Sequence, residues 1–326
     1  MKLIKQSYEI LPSVNTLKDI ELAARTCYQS FDKISEDNSS AVTLVTNLIK
    51  RRHYAMLEFG DNLVLVVDQE LLDNLWSYAH KPFFKHFNVT KSNSRIVLSM
   101  NIRTAVEFME YVDSLQVMVF SSVHRLCQSI YKNIPAIFFT NIKIEERFMT
   151  NLIHSSIVSY YPTLGQKSLV SKLERSVHET LVVKFITSRS ISLEVVRQRH
   201  CTFAQKSTRY CDEKGEIEFI KPCWYTSNQD YKEANDTEGI DHALAFERCL
   251  EKTETYYKDL RKSAKWKPEQ AREVLPNALA TELVVKASLQ EWKHIFSLRC
   301  DKAAHPMMQN LMLPLQKEFN QLYDVV

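Results

Sequence analysis

The densest group of side chains suited to chemistry lies in residues 197–210, which read RQRHCTFAQKSTRY. This segment holds three arginines, several hydroxyl groups and an amide. Arginine binds phosphate through paired, charge-assisted hydrogen bonds, and serine and threonine add short neutral ones. Several such donors meeting at one point could hold a nucleotide phosphate, because each charge-assisted bond contributes roughly 1.5 to 3 kcal/mol. The alternative is a solvated basic rim, since arginine is common on protein surfaces.

Two further segments carry arginines that could serve the same site. They are residues 271–276, which read AREVLP, and residues 289–306, which contain Arg299. Apolar residues at helical spacing surround Arg299, so we expect it to be partly buried. A buried guanidinium without a partner is costly, and a ligand or a carboxylate should therefore face it. A purely structural ion pair with Asp301 or Glu291 is the alternative.

The composition limits what kind of site these residues can form. The 326 residues have a formal net charge of +3, too small to indicate a general polyanion-binding surface. Only four glycines occur, and none has the spacing of the loops that cradle phosphate in Rossmann and P-loop proteins. Side chains must therefore hold any nucleotide. The seven cysteines and ten histidines are scattered without ligand spacing, so the sequence predicts neither a disulfide framework nor a bound metal.

Hydropathy indicates a folded protein without a membrane segment. Hydrophobic residues make up 45% of the chain and charged residues 25%, which is typical of globular proteins. The first residues include no apolar stretch like that of a secretion signal, and no run in the chain is long and apolar enough to span a bilayer. We therefore expect a cytoplasmic protein.

Periodicity predicts the elements that must position these side chains. Helices are predicted over 18–30, 41–52, 70–80, 241–262 and 268–272, and strands over 62–67, 180–186, 216–220 and 281–287. The spacing S-x-x-E at Ser288 is typical of a capping box, so a helix should begin there and run past Arg299. The pattern over 101–161 indicates mostly helices, which we interpret as scaffold. Residues 227–239 are predicted to form a loop.

Five blocks of the sequence, in the same order, resemble the flavin-dependent thymidylate synthases. The central block reads R-Q-R, seven residues, then S-T-R-Y at 197–210, against the family pattern R-H-R, seven residues, then S-x-R-Y. The other blocks are A-R-T-C-Y at 24–28, H-x-x-x-x-E at 53–58, A-R-x-x-L-P at 271–276, and L-R followed by A-A-H-P at 298–306. The resemblance covers roughly residues 20–70 and 180–315.

The resemblance implies a flavin enzyme that methylates deoxyuridylate (dUMP) to thymidylate (dTMP). FAD would be the cofactor, methylenetetrahydrofolate the one-carbon donor and NADPH the reductant. The implied architecture is an α+β fold of the thymidylate synthase-complementing type, a mixed or antiparallel sheet flanked by helices. It would form one domain over residues 1–326 and a homotetramer whose active sites combine residues from several chains, with no nucleic-acid or membrane partner. Residues 70–180 would be a mostly helical enlargement found in longer members.

The resemblance also assigns site residues by position. Arg299 matches an arginine placed against the uracil, where a cation would stabilise the negative charge that develops as C5 attacks an electrophilic carbon, and it is the predicted catalytic residue. The predicted dUMP-binding residues are Glu194, Arg197, Gln205, Ser207, Arg209, Arg272 and Arg299. The predicted FAD-binding residues are His53, Glu58, Arg199, His200, Ser288, Gln290 and His294.

Three positions depart from the family pattern. Gln198 replaces the motif histidine and removes a group that titrates near neutrality. Gln290 stands where many members have arginine, and Lys206 where relatives often have glutamate. These changes could alter the folate or NADPH step, so a related enzyme that modifies C5 of a pyrimidine nucleotide differently, for example by hydroxymethylation, is the first alternative. A basic nucleic-acid-binding protein that uses residues 197–209 is the second, and less favoured.

Several of the assigned residues also have a purely structural interpretation. His53 could cap the end of a helix, and Glu58 and Glu194 could be surface carboxylates. Cys201 and Cys300 adjoin arginines, which could lower the pKa of their thiols. The resemblance assigns neither cysteine a catalytic role.

Overall fold

The structure is a computed structural model that describes residues 1–92, 95–115, 121–140, 142, 158–160, 171–213, 215–225 and 242–323. Helices and antiparallel sheets make up this part of the chain, and the prediction of an α+β fold is confirmed. The loop predicted over 227–239 lies outside the described residues.

Two four-stranded sheets organise the described part of the chain. The strands are β1 (Lys2–Ile4), β2 (Ser7–Leu11), β3 (Leu63–Val67), β4 (Asn88–Ser92), β5 (Arg95–Met100), β6 (Val158–Tyr160), β7 (Thr180–Ser188), β8 (Thr202–Gln205), β9 (Glu218–Ile220) and β10 (Ala280–Ser288). The order β2-β7-β10-β8 forms what we call the site sheet, and β4-β5-β3-β6 forms the middle sheet. Neighbouring strands in both sheets are antiparallel, whereas β1 and β9 pair in parallel.

The helices surround these sheets. They are α1 (Thr16–Tyr28), α2 (Ser39–Lys50), α3 (Gln69–Trp76), α4 (Ile102–Leu115), α5 (Ser121–Asn133), α6 (Lys172–His178), α7 (Arg189–Val195), α8 (His242–Lys262), α9 (Pro268–Ala271), α10 (Leu289–Arg299) and α11 (Pro306–Leu322). The helices and strands predicted from periodicity are confirmed, with ends that shift by a few residues. The described helices all fall short of the combined length and hydropathy that a bilayer-spanning helix requires.

The site sheet is covered on one face by α10 and α11, whose apolar side chains fill a large core against it. Residues along β7 alternate between buried and half-buried, but nearly all of β10 is buried because α1 covers its other face around Val284. Trp292 of α10 is fully buried, and its Nε1 donates to the main-chain oxygen of Leu181 at 3.0 Å. Burying one such side chain contributes roughly 1.5 to 3 kcal/mol, so packing fixes α10 on the sheet.

Two serines end the central strands of the site sheet and cap the helices that follow. The Ser188 Oγ accepts from the main-chain N–H of Ile191 at 3.4 Å and begins α7. The Ser288 Oγ accepts from the main-chain N–H of Glu291 at 3.1 Å and begins α10, as predicted. Because β7 and β10 are antiparallel, these helices start at opposite ends of the sheet. α10 runs back along it, which brings Arg299 at its last turn to α7.

The described part of residues 70–180 is mostly helical, as expected, but it also contains three strands that the sequence did not reveal. The strands β4 and β5 pair with each other, and β6 lies within 101–161, a range predicted as mostly helical. The side chains of β4 are largely exposed and polar, which hides the alternation expected of a strand. The short apolar run of β5 does not distinguish a strand from a buried helix. Both sheet and helices pack around a separate apolar core.

Candidate functional site

A cleft of about 670 Å³ is lined by residues of the site sheet, of α10 and of residues 70–180, which we call the middle segment. Its volume falls in the range of small-molecule pockets. The predicted FAD-binding residues that line it are Glu58, Arg199, His200, Ser288, Gln290 and His294. Asn88 and Asn101 line it as well, although the range 101–161, which includes Asn101, was predicted to be scaffold. Three separate stretches of chain therefore bring predicted cofactor residues to one cavity.

Local structure explains how α10 and β8 present their side chains to the cleft. Ser288 caps α10, and Gln290 and His294, four residues apart, lie on the same face of its first turns. Arg199 and His200 immediately precede β8, which pairs with β10 along the sheet. Both are exposed, and neither has an ion-pair partner in the described part of the chain. Their charges and donors thus remain available to a ligand.

Glu58 is held in the cleft from two sides and is not a free surface carboxylate. Its Oε1 accepts from Nη1 of Arg103 at 2.8 Å, and its Oε2 accepts from Oγ1 of Thr202 at 2.8 Å. Arg103 belongs to α4 and also binds Glu107 at 2.8 Å. The middle segment therefore fixes the orientation of a predicted cofactor residue.

Lys286 is a buried cation in the cleft that the sequence analysis missed. Only 5% of the residue is exposed. Its Nζ donates to the main-chain oxygen of Glu58 at 3.0 Å, to that of Gly60, and to Oδ1 of Asn62 at 3.3 Å. Burial lowers the pKa of Lys286 to about 8, and the negative charges of nearby carboxylates limit the decrease. The sequence feature that could have revealed this residue is a lysine inside the apolar run of β10.

His53 does not line this cleft. It lies in a neighbouring pocket of about 450 Å³ that also contains Arg52 and Arg103, directly after the end of α2. Its main-chain N–H donates to the oxygen of Leu48 at 2.9 Å, and its side chain caps no helix. Arg103 lines this pocket and binds Glu58 of the cleft, so this ion pair links residues that line the two cavities.

Arg299 forms a second group with Glu194 of α7. Its Nη2 donates to the main-chain oxygen of Glu194 at 2.8 Å, and its Nη1 lies 3.4 Å from the carboxylate Oε2. The side chain of Arg299 is 20% exposed, which fits the expected partial burial. Its carboxylate partner in the described residues is Glu194 of α7, and neither Asp301 nor Glu291 forms the ion pair considered as the alternative.

Gln198, the residue in place of the motif histidine, completes this group. With its amide oxygen facing Arg299, it accepts from Nε at 3.1 Å and from Nη2 at 3.2 Å. A guanidinium has five N–H donors, and Glu194 and Gln198 together engage four of them. Within the described residues, one N–H on Nη1 is left for a ligand.

Three more of the predicted nucleotide residues, Ser207, Arg209 and Arg272, form a third group around α9. The Nε of Arg209 donates to Oε2 of Glu269 at 3.0 Å, while 58% of the arginine side chain is exposed. The Oγ of Ser207 accepts from the main-chain N–H of Arg209 at 3.3 Å. Arg272 directly follows α9 and lies 3.5 Å from Glu273. An exposed ion pair contributes only about 0 to 1 kcal/mol, so an incoming phosphate can replace these carboxylates at little cost.

Arg189 is a further cation near this group that the sequence analysis missed. It is the first residue of α7 and is half-buried. Burial lowers the pKa of Arg189, and the positive charge of Arg272 lowers it further, so the two guanidinium groups lie near each other. No carboxylate in the described ranges pairs with Arg189. Two cations held close together favour an anion between them.

Gln205 contacts α7, and Arg197 lies just beyond its end. The Nε2 of Gln205 donates to Oγ of Ser192 at 2.9 Å and to Oγ1 of Thr281 at 3.2 Å, which ties β8 to α7 and β10. Arg197 is exposed one turn beyond Glu194 and has no ion-pair partner in the described ranges. Because α7 carries both Arg189, which lies near Arg272, and Glu194, the partner of Arg299, it adjoins both arginine groups.

The thiols and Lys206 take no evident part in chemistry. Burial raises the pKa of Cys201 to about 12 and also raises that of Cys300, so the suggestion that adjacent arginines lower these values was wrong. Lys206, which stands where relatives often have glutamate, lies 2.6 Å from Glu213. The carboxylate of Glu213 compensates the positive charge of this lysine. No group of three His, Cys, Asp or Glu residues that could hold a metal ion occurs in the described ranges.

Comparison with known proteins assigns a family to the C-terminal half of the chain, which carries most of these residues. A family model described as thymidylate synthase complementing protein matches residues 162–323. Through this range the chain belongs to the thymidylate synthase complementing protein family. The family range includes α7, β8, β10 and α10, and therefore all the predicted site residues except His53 and Glu58.

Individual relatives are named flavin-dependent thymidylate synthases. A flavin-dependent thymidylate synthase of Mycobacterium tuberculosis is 32% identical over 133 residues, which cover 39% of this chain and 51% of the relative. A flavin-dependent thymidylate synthase of Synechocystis sp. is 28% identical over 154 residues, which cover 45% of this chain and 68% of the relative. The chain thus spans about half the length of the mycobacterial relatives it matches.

Proposed function

We propose that this chain is a flavin-dependent thymidylate synthase, which methylates dUMP to dTMP with FAD as cofactor, methylenetetrahydrofolate as one-carbon donor and NADPH as reductant. The observation that carries the proposal is the cleft, where Glu58, Arg199, His200, Ser288, Gln290 and His294 meet from three stretches of chain. The family membership and the names of the relatives support the same reaction.

The donors in the cleft fit a flavin dinucleotide. Arg199, His200 and His294 offer charged or polar N–H groups for phosphate oxygens, and Ser288 and Gln290 offer neutral donors for the ring carbonyls. FAD supplies hydride transfer chemistry when bound, and the protein supplies binding and orientation. Glu58 is held by Arg103 and Thr202, so it contributes a carboxylate of fixed orientation to this wall.

Arg299 is the proposed catalytic residue. Glu194 and Gln198 fix its guanidinium and leave one N–H on Nη1 for the substrate. Negative charge moves onto the oxygens of the uracil when its C5 attacks an electrophile. A cation that is already oriented and partly buried stabilises that charge without reorganisation. Glu194 then has a second role, because its carboxylate and main-chain oxygen hold the guanidinium in place.

The dUMP phosphate is assigned to Arg209, Arg272 and Ser207, with Arg189 as an added cation. The nucleotide must also reach Arg299, whose partner Glu194 lies at the opposite end of α7 from Arg189. A homotetramer that combines residues from several chains, as the resemblance implies, would complete the site around one nucleotide. We propose this assembly, acting in the cytoplasm on small-molecule substrates.

Residues 1–326 are proposed to work as one domain, with 70–180 as an enlargement that adds to the site. The ion pair between Arg103 and Glu58, and the position of Asn101 in the cleft, support this interpretation. The segment would then be more than scaffold, because it holds a residue of the proposed cofactor site.

Product analysis by mass spectrometry tests the proposed reaction. Purified protein with FAD, dUMP, methylenetetrahydrofolate and NADPH should yield a nucleotide heavier than dUMP by one methylene unit, and Arg299→Ala should not. A product that carries a hydroxymethyl group would instead support the alternative motivated by Gln198. Protein that binds no flavin, yields no product and binds oligonucleotides with a steep salt dependence would support the nucleic-acid-binding alternative.

A further inference from the structure

The buried ammonium of Lys286 lies in the wall of the cleft without a countercharge in contact with it. Its three N–H donors are satisfied by uncharged oxygens, two from the main chain and one from Asn62. No carboxylate in the described ranges lies close enough to form an ion pair with it. The carboxylate of Glu58, the residue whose main-chain oxygen it binds, is engaged by Arg103 and Thr202.

An uncompensated buried charge is expensive to keep. Moving an ammonium out of water costs several kcal/mol unless another charge compensates it. Hydrogen bonds to carbonyl groups satisfy its donors but do not neutralise it. Asp61, Asp19 and Glu58 act on it only from a distance, and its pKa of about 8 leaves it charged at neutral pH. A perturbed charge of this kind in a cleft is a mark of functional sites.

Lys286 is positioned so that its positive charge acts on a ligand in the cleft. In the site sheet it pairs with Thr202 of β8, and it precedes Ser288 by two residues on β10. All three residues line the cleft. Gln290 in the same cleft is neutral, where the family pattern often has arginine. Lys286 is therefore a cation that the protein itself holds rigid in this wall, whereas Arg199 and Lys85 are exposed and have no ion-pair partner in the described ranges.

We propose that Lys286 supplies the fixed positive charge of the cleft and stabilises the reduced, negatively charged ring of a bound flavin. The proposal rests on the flavin-dependent function proposed above. Transfer of a hydride from NADPH to an oxidised flavin gives NADP⁺ and a flavin ring with one added negative charge. A fixed cation beside that ring favours the reduced form over the neutral oxidised form, and charges near the ring are one means by which proteins tune it.

The test compares the affinities of oxidised and reduced FAD in the wild type and in Lys286→Met, which keeps most of the length of the side chain and removes its charge. We expect the preference for reduced over oxidised FAD to fall at least about tenfold. For a two-electron couple this corresponds to a midpoint potential about 30 mV more negative. The affinity for oxidised FAD should change little.

Two further variants separate the charge from its structural contacts. Asn62→Ala removes one acceptor of Lys286 but keeps the ammonium, so the preference for reduced FAD should stay within about twofold of wild type, since only the charge sets it. Lys286→Met/Gln290→Arg returns a cation to the same cleft and should recover most of the preference. If Lys286→Met does not fold, Lys286→Gln, which removes the charge and keeps a hydrogen-bond donor, carries the same test.

The outcomes distinguish this inference from the proposed function. Wild-type protein that binds no flavin would overturn both. Wild-type protein that binds flavin, together with an unchanged preference in Lys286→Met or, where that variant does not fold, in Lys286→Gln, would overturn only the role of Lys286. A variant that loses oxidised FAD but still binds riboflavin normally would also overturn it, because the lysine would then act on the diphosphate and not on the ring.

Discussion

The Nη2 of Arg299 donates to the main-chain oxygen of Glu194 at 2.8 Å, although the two residues lie 105 positions apart in the chain. This contact joins the last turn of α10 to α7 and leaves the guanidinium only partly exposed. It depends on the antiparallel pairing of β7 and β10, which starts the two helices at opposite ends of the site sheet. The orientation of the proposed catalytic arginine is therefore a property of the whole sheet.

Replacing Arg299 by alanine should abolish most turnover and leave the cofactor bound. Removing one preorganised charge-stabilising donor typically lowers turnover by about 10² to 10³-fold. FAD affinity should stay within about twofold, because Arg299 does not line the cofactor cleft. Steady-state kinetics and flavin titration measure the two effects, with the exposed Lys302→Ala as control. Thymidylate formation at near wild-type rate in Arg299→Ala would refute its role.

Returning the motif histidine at position 198 should make turnover depend on pH. The amide oxygen of Gln198 accepts two hydrogen bonds from Arg299 at any pH. A neutral imidazole accepts only one, and a protonated one accepts none and repels the guanidinium. Gln198→His should therefore lose roughly tenfold in turnover below about pH 6.5, as expected for a lost hydrogen bond to a charged group. Superimposable pH–rate profiles for the variant and the wild type would rule this out.

Replacing Arg209 by alanine should weaken dUMP binding far more than flavin binding. Loss of a charge-assisted bond to phosphate costs roughly 1.5 to 3 kcal/mol, or about 10 to 100-fold in affinity. Deoxyuridine, which lacks the phosphate, should bind the variant and the wild type equally well. Isothermal titration with both ligands and with FAD tests this assignment. An equal loss of dUMP and FAD affinity would count against it.

Mild acid should destabilise the fold through His178. This histidine is 1% exposed, and its ring nitrogens lie 2.7 Å from Oγ of Ser99 and 2.9 Å from Oγ1 of Thr90. Burial lowers the pKa of His178 from 6.5 to about 4, and Glu174 opposes the decrease. Between these two values the unfolded chain binds a proton that the folded protein does not. The free energy of unfolding should therefore fall as the pH drops through this window, by up to about 3 kcal/mol.

Urea unfolding of the wild type and of His178→Asn at pH 7 and pH 5 measures this contribution. Asparagine can still bond one hydroxyl but does not titrate, so the variant should lose less stability between the two pH values. Parallel losses in both proteins would mean that His178 does not cause the acid sensitivity.

The sequence was informative where local signals and packing agree. The strands β7 and β10 are apolar runs with polar residues at their ends, and Ser288 with Glu291 marks the start of α10. These elements could therefore be predicted. β8 was missed because four residues inside a polar segment become a strand only through pairing with β10. Such pairing depends on residues about 80 positions away along the chain, and no local pattern reports it.

Contacts within the site could be predicted only in part. The family blocks selected residues that the structure brings to one cleft, but they gave no reason to expect the pair of Arg299 with Glu194, because pairing partners depend on how α7 and α10 cross. Lys286 and Arg103 were missed because each looked like an ordinary charged residue in its element. Their importance follows from burial and from contacts with the corner around Glu58.

The visible absorption spectrum of the purified protein, recorded with FAD, dUMP and NADPH, tests the central claim most directly. The account predicts that the protein binds FAD, that dUMP perturbs the flavin bands, and that NADPH then bleaches them. A colourless protein that retains no added FAD, or a bound flavin that responds to neither dUMP nor NADPH, would contradict it.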